Sequence, residues 1–156
     1  MKCFAKKNII LLCVQHIAYQ ALAQINVGVI TNGVPSLTMN VAQLSDTLAF
    51  VLNGATLQNS TAEIGTDTLG TYYYIKADGI RSGQANPSQI AVILASNGST
   101  LMFSSGTGCT MESKPSLHCT SCVQTIHERC KRQTCSCKPE SRDRTCTSRI
   151  SFSSNN

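Results

Sequence analysis

Charge is what this chain has least of. Only 13% of its 156 residues are Asp, Glu, Lys or Arg, about half the share of an ordinary soluble domain, which excludes a disordered polyelectrolyte and a charged coiled coil. Long apolar runs are missing too. The most apolar stretch near the start, Ile9 to Val14, gives way to Gln15, His16 and Gln20, so it falls short of the ~20 apolar residues a membrane span needs. Catalytic signatures are absent: no G-x-S-x-G, H-E-x-x-H or phosphate-loop pattern occurs, and beyond residue 23 the histidines are His118 and His127 alone. His118 precedes Cys119 directly, but neighbours in sequence do not make the spatial pair a cysteine hydrolase requires. The chain is therefore expected not to be an enzyme, and no catalytic residue or cofactor is assigned.

What the chain does have is sorted into three compositions. Residues 1–23 carry Lys2, Lys6 and Lys7 and no acid, a balance of +3. Residues 24–108 set Lys76 and Arg81 against Asp46, Glu63, Asp67 and Asp78, a balance of −2. The last part, 109–156, sets Lys114, Arg129, Lys131, Arg132, Lys138, Arg142, Arg144 and Arg149 against Glu112, Glu128, Glu140 and Asp143, a balance of +4. The net charge of +5 thus hides a mildly acidic middle and a basic end. The first segment reads as a signal peptide: lysines, then the apolar run, then Ala21-Leu22-Ala23, after which cleavage would leave Gln24 first. Its removal would take Cys3 and Cys13 with it and place the protein outside the cell, in the periplasm or in the cell envelope, with no transmembrane span.

The middle alternates β-prone runs with turn residues. Ile25, Val27 and Val29 share a strand face that stops at Asn32-Gly33. Leu37, Met39 and Val41 repeat the period of two, and Thr47 to Leu52 is a further apolar run closed by Asn53-Gly54. Tyr72-Tyr73-Tyr74-Ile75 is β-prone, with Asp78-Gly79 as its turn. The clearest hairpin runs from Gln89 to Ser104 around Asn97-Gly98, a dipeptide suited to tight hairpin turns. In a strand, the tyrosine triplet must point rings to both faces. An outward ring could stack on a sugar or a partner, although strand formation alone accounts for the triplet. Asn59-Ser60-Thr61 and Asn97-Gly98-Ser99 are glycosylation sequons in turn-like segments.

Glycine vanishes after Gly108, and seven cysteines take over: Cys109, Cys119, Cys122, Cys130, Cys135, Cys137 and Cys146. So few large apolar residues accompany them that cross-links must supply the order. In an oxidising compartment disulfides are the default, giving three bridges and one unpaired thiol, which is available to a partner chain as an intermolecular bridge. Cys135 and Cys137 are too close to pair with each other. The alternative is a thiolate metal site for zinc or copper, with Cys119, Cys122, Cys135, Cys137, His118 and His127 as candidate ligands. Thiol exchange through Cys119-Thr120-Ser121-Cys122 would need a thioredoxin-like scaffold, which the strand-rich composition upstream does not suggest. Around Val123 to Glu128 the β-branched residues favour a strand over a helix.

The expected architecture is mainly β. A small antiparallel sandwich or sheet stack occupies 24–108, a cysteine-rich, cross-linked basic segment follows over 109–147, and 148–156 form a flexible tail. The expected role is secreted or envelope-associated binding or structure, with an anionic polymer or surface as a possible partner of the basic end. Nucleic-acid reading lacks support beyond charge, because Phe152 is the basic segment's only aromatic.

Overall fold

The computed structural model describes residues 24–104, 108–116, 119–138 and 145–152; the expected signal peptide, 1–23, lies outside them. The strands are β1 (Gln24–Thr31), β2 (Val34–Leu37), β3 (Thr56–Asp67), β4 (Gly70–Ile80), β5 (Ser88–Asn97), β6 (Thr100–Ser104), β7 (Cys109–Pro115), β8 (Ser121–Glu128), β9 (Arg132–Lys138) and β10 (Cys146–Phe152). Two short helices, α1 (Val41–Thr47) and α2 (Ala49–Leu52), lie between β2 and β3. Among the described residues the fold is mainly β, and every strand pairing is antiparallel. Eight strands make one curled sheet and β8 with β9 a separate hairpin.

Strand β5 is the branch point. Its residues Ser88 to Leu94 pair with β4, Gln89 to Val92 with β7, and Ala95 to Asn97 with β6. Ile90, Val92 and Leu94 face one core, with Val27, Ile75, Leu101 and Phe103 and the helix residues Leu44, Leu48 and Leu52. Ala91 and Ile93 face the other, with Tyr72, Cys109 and Met111. This explains the unbroken apolar run: a strand buried on both faces has no polar side to alternate with. Each such aliphatic side chain contributes roughly 1.5 to 3 kcal/mol on burial.

Several local expectations change. Val41 to Leu52 is helical, because Leu44, Leu48, Val51 and Leu52 recur at helical spacing and Asn40 with Gln43 forms a reciprocal capping box. The strand pattern at Leu37 therefore ends there. The helical segment closes with Asn53 and Gly54 at positive φ (48° and 77°), the left-handed stop expected of this dipeptide. Asp78-Gly79 is no turn: β4 continues to Ile80, and a Cβ on Gly79 would sit 2.4 Å from Ile90 Cδ1, so close packing accounts for that glycine. In the β5–β6 hairpin Asn97 pairs with Thr100, leaving Gly98-Ser99 as the two-residue loop, one position later than Asn-Gly implies.

The boundary at 108 and the tail from 148 also give way. β7 joins β5 in the main sheet, and Ser148 to Phe152 pair residue by residue with Ser113 to Cys109, so the cysteine-rich end completes the upstream sheet as well as covering it. On that sheet's helix side, Arg81 makes a two-pronged ion pair with Glu112 and donates to the carbonyls of Leu52 and Asn53, at 3.1 and 3.0 Å. One side chain thus ties the helix C-terminus to β7.

Gly28 sits at a register shift in β1, where a Cβ would lie 2.3 Å from the Ser36 carbonyl oxygen. Backbone must move to relieve that contact. Gly28→Ala is expected to cost about 2 kcal/mol, measured by urea unfolding, with β2 amides losing hydrogen-exchange protection first.

Candidate functional site

The hairpin of β8 and β9 lies on the second core and has almost no core of its own. Its inward residues are Cys122, Gln124 and Ile126 on β8, facing Cys137, Cys135 and Gln133 on β9. Ile126, with Cys130 at the turn, is what it adds to the apolar cluster around Tyr72, Ile93 and Met111. So little buried area cannot hold an isolated two-stranded unit.

Disulfides supply the rest. Cys109–Cys130 fixes the hairpin tip to the start of β7, Cys122–Cys146 fixes the base of β8 to β10, and Cys119–Cys137 joins the incoming chain to the end of β9. Their Cα atoms are 5.7, 6.0 and 5.7 Å apart, the usual span for a bridge. The sequence separations are 21, 24 and 18 residues, so each bridge stabilises by about 3 kcal/mol through lost freedom of the unfolded chain. Cys130 takes a φ of 59°, a left-handed position rare for a residue with a Cβ, and it aims the sulfur back at the sheet.

Between the bridges runs a seam of amides. Gln124 donates to the Met111 carbonyl at 2.9 Å and to the Gln133 side-chain oxygen, while its backbone amide donates to Gln89 at 2.8 Å. The Gln133 amide donates to the carbonyls of Glu112 and Arg149, at 3.0 and 2.8 Å. Asn86 donates to the Cys119 carbonyl at 2.9 Å. The side-chain amides of Gln124 and Gln133 are thereby paired with sheet backbone and with each other, as burial demands.

At the tip Arg129 meets Asp67, the last residue of β3. Its side chain lies 3.1 Å from the carboxylate, its backbone amide also donates at 3.1 Å, and its guanidinium sits 5.2 Å above the Tyr72 ring centroid. The Asp67 carboxylate is only 1% exposed. Burial alone would raise its pKa, but hydrogen bonds from the amides of Arg129 and Leu69 and the Arg129 charge outweigh that and hold it below the ordinary 3.8. Tyr74 donates to Glu63 at 2.7 Å; burial, then that bond to a carboxylate, pushes its phenol well above the ordinary value. Burial raises Tyr72 as well, helped by the Asp67 charge.

The sequence-selected residues therefore divide. Cys109, Cys119, Cys122, Cys130, Cys137 and Cys146 are in bridges, and Cys135 is the free thiol, half-buried on the inward side of β9. For metal, the Sγ atoms of Cys119, Cys122 and Cys146 lie within 4.8 Å of one another, and Cys137 is bonded to Cys119. Cys135 is outside that group, its place taken by Cys146. His127 bonds Thr134 at 2.8 Å on the hairpin's outer face, and His118 lies outside the described residues. No tyrosine of the triplet forms an exposed platform, since Tyr72 and Tyr74 lie under the hairpin and Tyr73 against the first core. Asn59 stands in a strand, not a turn, and donates to Asp78 at 3.3 Å. Asp67, Gln124, Arg129 and Gln133 carried no local signal, because their partners are up to 62 residues away. Comparison of the chain with protein-family models, curated proteins and solved structures finds no match, so the functional reading rests on this geometry.

Two outcomes test the clamp. Replacing Cys109 and Cys130 together by Ser should lower stability by about 3 kcal/mol in urea unfolding of the oxidised protein. Because the folded pKa of Asp67 lies below its unfolded value, its contribution is fully present above pH 3.8 and is lost as pH falls through the folded value. Asp67→Asn should therefore flatten the acid limb of stability against pH below about pH 4.

Proposed function

We propose that the chain is exported, oxidised on the way, and acts outside the cytoplasm or in the cell envelope as a disulfide-stapled binding or structural protein with no catalytic role. The carrying observation is that six of the seven cysteines after Gly108 meet as three bridges, two of which pin one hairpin to the sheet while the third ties the chain entering the hairpin to its last strand. A hairpin so poor in apolar surface needs those bonds, and such bonds persist in oxidising compartments. The lysines, apolar run and Ala21-Leu22-Ala23 at the start support the same route.

A second reading is favoured by the sulfur cluster. With the bridges reduced, Cys119, Cys122, Cys137 and Cys146 present four thiols in one place; Cys119 Sγ is 3.6 Å from Cys146 Sγ, close to the sulfur spacing that ~2.3 Å zinc–sulfur bonds impose. In that form the chain would hold zinc or cuprous copper by thiolates.

Expression of the full chain in a bacterial host, with fractionation and non-reducing mass spectrometry, separates the two. Export predicts a species beginning at Gln24, six hydrogens lighter than its fully reduced mass, with Cys135 alone alkylated. A cytoplasmic chain with all its thiols alkylatable after denaturation, and stoichiometric metal by elemental analysis, overturns the first reading in favour of the second.

A further inference from the structure

The face of β7 and β10 turned away from the hairpin carries no part of either core beyond its rim. Here Thr110, Glu112 and Lys114 stand opposite Ser151, Arg149 and Thr147. Three adjoining cavities of about 380, 310 and 270 Å³ run along it. The first and second share Asn53 and Arg149, and the second and third share Arg81 and Lys114, so together they form one groove. Its walls are the end of the helical segment and the loop after Arg81. The paired stretch of β7 and β10 from Pro115 to Cys109 makes it about 20 Å long.

Charge along the groove is one-sided. Arg81 and Glu112 neutralise each other, and among the described residues no other carboxylate lines the three cavities. Lys114 and Arg149 are exposed and have no acidic partner among the described residues. The floor between them is hydroxyl-bearing, and the end nearest the helices is edged by Phe50 and Phe152, which are 57% and 67% exposed.

We infer that this groove binds a linear acidic polysaccharide. Lys114 and Arg149 meet its carboxylates, Thr110, Thr147, Ser151 and Asn53 exchange hydrogen bonds with its hydroxyls, and Phe50 takes the apolar face of a sugar ring. Two neighbouring cations, diagonal across the β7–β10 pair and about 7 to 8 Å apart, in a hydroxyl-rich groove ~20 Å long, match a hydroxyl-rich polymer that carries carboxylates along its length. Nucleic acid fits worse, since its affinity comes from neutralising many phosphates and from stacking several bases. The inference rests on the binding role outside the cell proposed above, and supplies its ligand class.

The test is calorimetric titration of the oxidised protein with polygalacturonate, its methyl-esterified neutral form and single-stranded DNA. Polygalacturonate should bind, more weakly as salt rises, and the neutral form should not. The double change Lys114→Gln with Arg149→Gln should weaken binding about tenfold with the melting temperature unchanged, and Phe50→Ala should also weaken it. Lys131→Gln with Arg132→Gln, two exposed cations on the hairpin, should leave affinity as it was. Absence of binding, equal loss from the hairpin pair, or tighter binding of DNA overturns the assignment. Failure of the export reading is read separately, in the location and thiol count of the protein.

Discussion

The structure depends on burying Ile90 to Leu94 on both faces at once. A strand in that position needs two covers, and the chain supplies them by different means. One is an apolar helical segment set down by Leu44, Leu48 and Leu52. The other is a hairpin whose inward face is mostly glutamine and cysteine. The first cover holds itself in place by the surface it buries. The second cannot, so it is bonded covalently at its tip and base, and the low charge of the upstream scaffold leaves a surface of Ser, Thr, Asn and Gln around both.

The amide seam follows from the same constraint. A hairpin laid across a sheet face comes to rest against backbone carbonyls of β7 and β10, and long neutral amides reach them without bringing a charge into a dry interface. Gln124 and Gln133 do this from facing strands, and the pair Asp67–Arg129 is confined to the tip, where the guanidinium also covers Tyr72. On the sheet's other side Arg81 performs a comparable task with its charge balanced by Glu112. Register is thereby set at the hairpin's tip, middle and base independently of its small apolar contribution.

Much of this was legible in the residues, and the failures have physical causes. Strand content, the hairpin from Gln89 to Ser104, the stop at Asn32-Gly33, the extended form of Val123 to Glu128, and the count of three bridges with one thiol over all follow from local pattern and parity. Thr47 to Leu52 misled because a short apolar run has no period of its own; Asn40 with Gln43, a few residues earlier, was the helix signal. Asp78-Gly79 looked like a turn because a glycine needed for close packing and one needed for positive φ are the same letter. The boundary at 108 failed since composition records where cysteines lie, not which strand edge their neighbours complete. Bridge partners, and the identity of Cys135 as the unpaired one, depend on the hairpin's position over β7 and β10, which no spacing encodes.

The order of the bridges sets how the fold meets a protease. Counting the bonded cysteines along the chain, the first joins the fourth, the second the fifth and the third the sixth, so every bridge interleaves with the other two. No peptide bond between Cys109 and Cys146 lies outside all three loops. A protease that cuts once anywhere in that stretch, after any of its lysines or arginines included, severs the backbone without releasing a fragment. The wound stays closed, and the sheet keeps its cover.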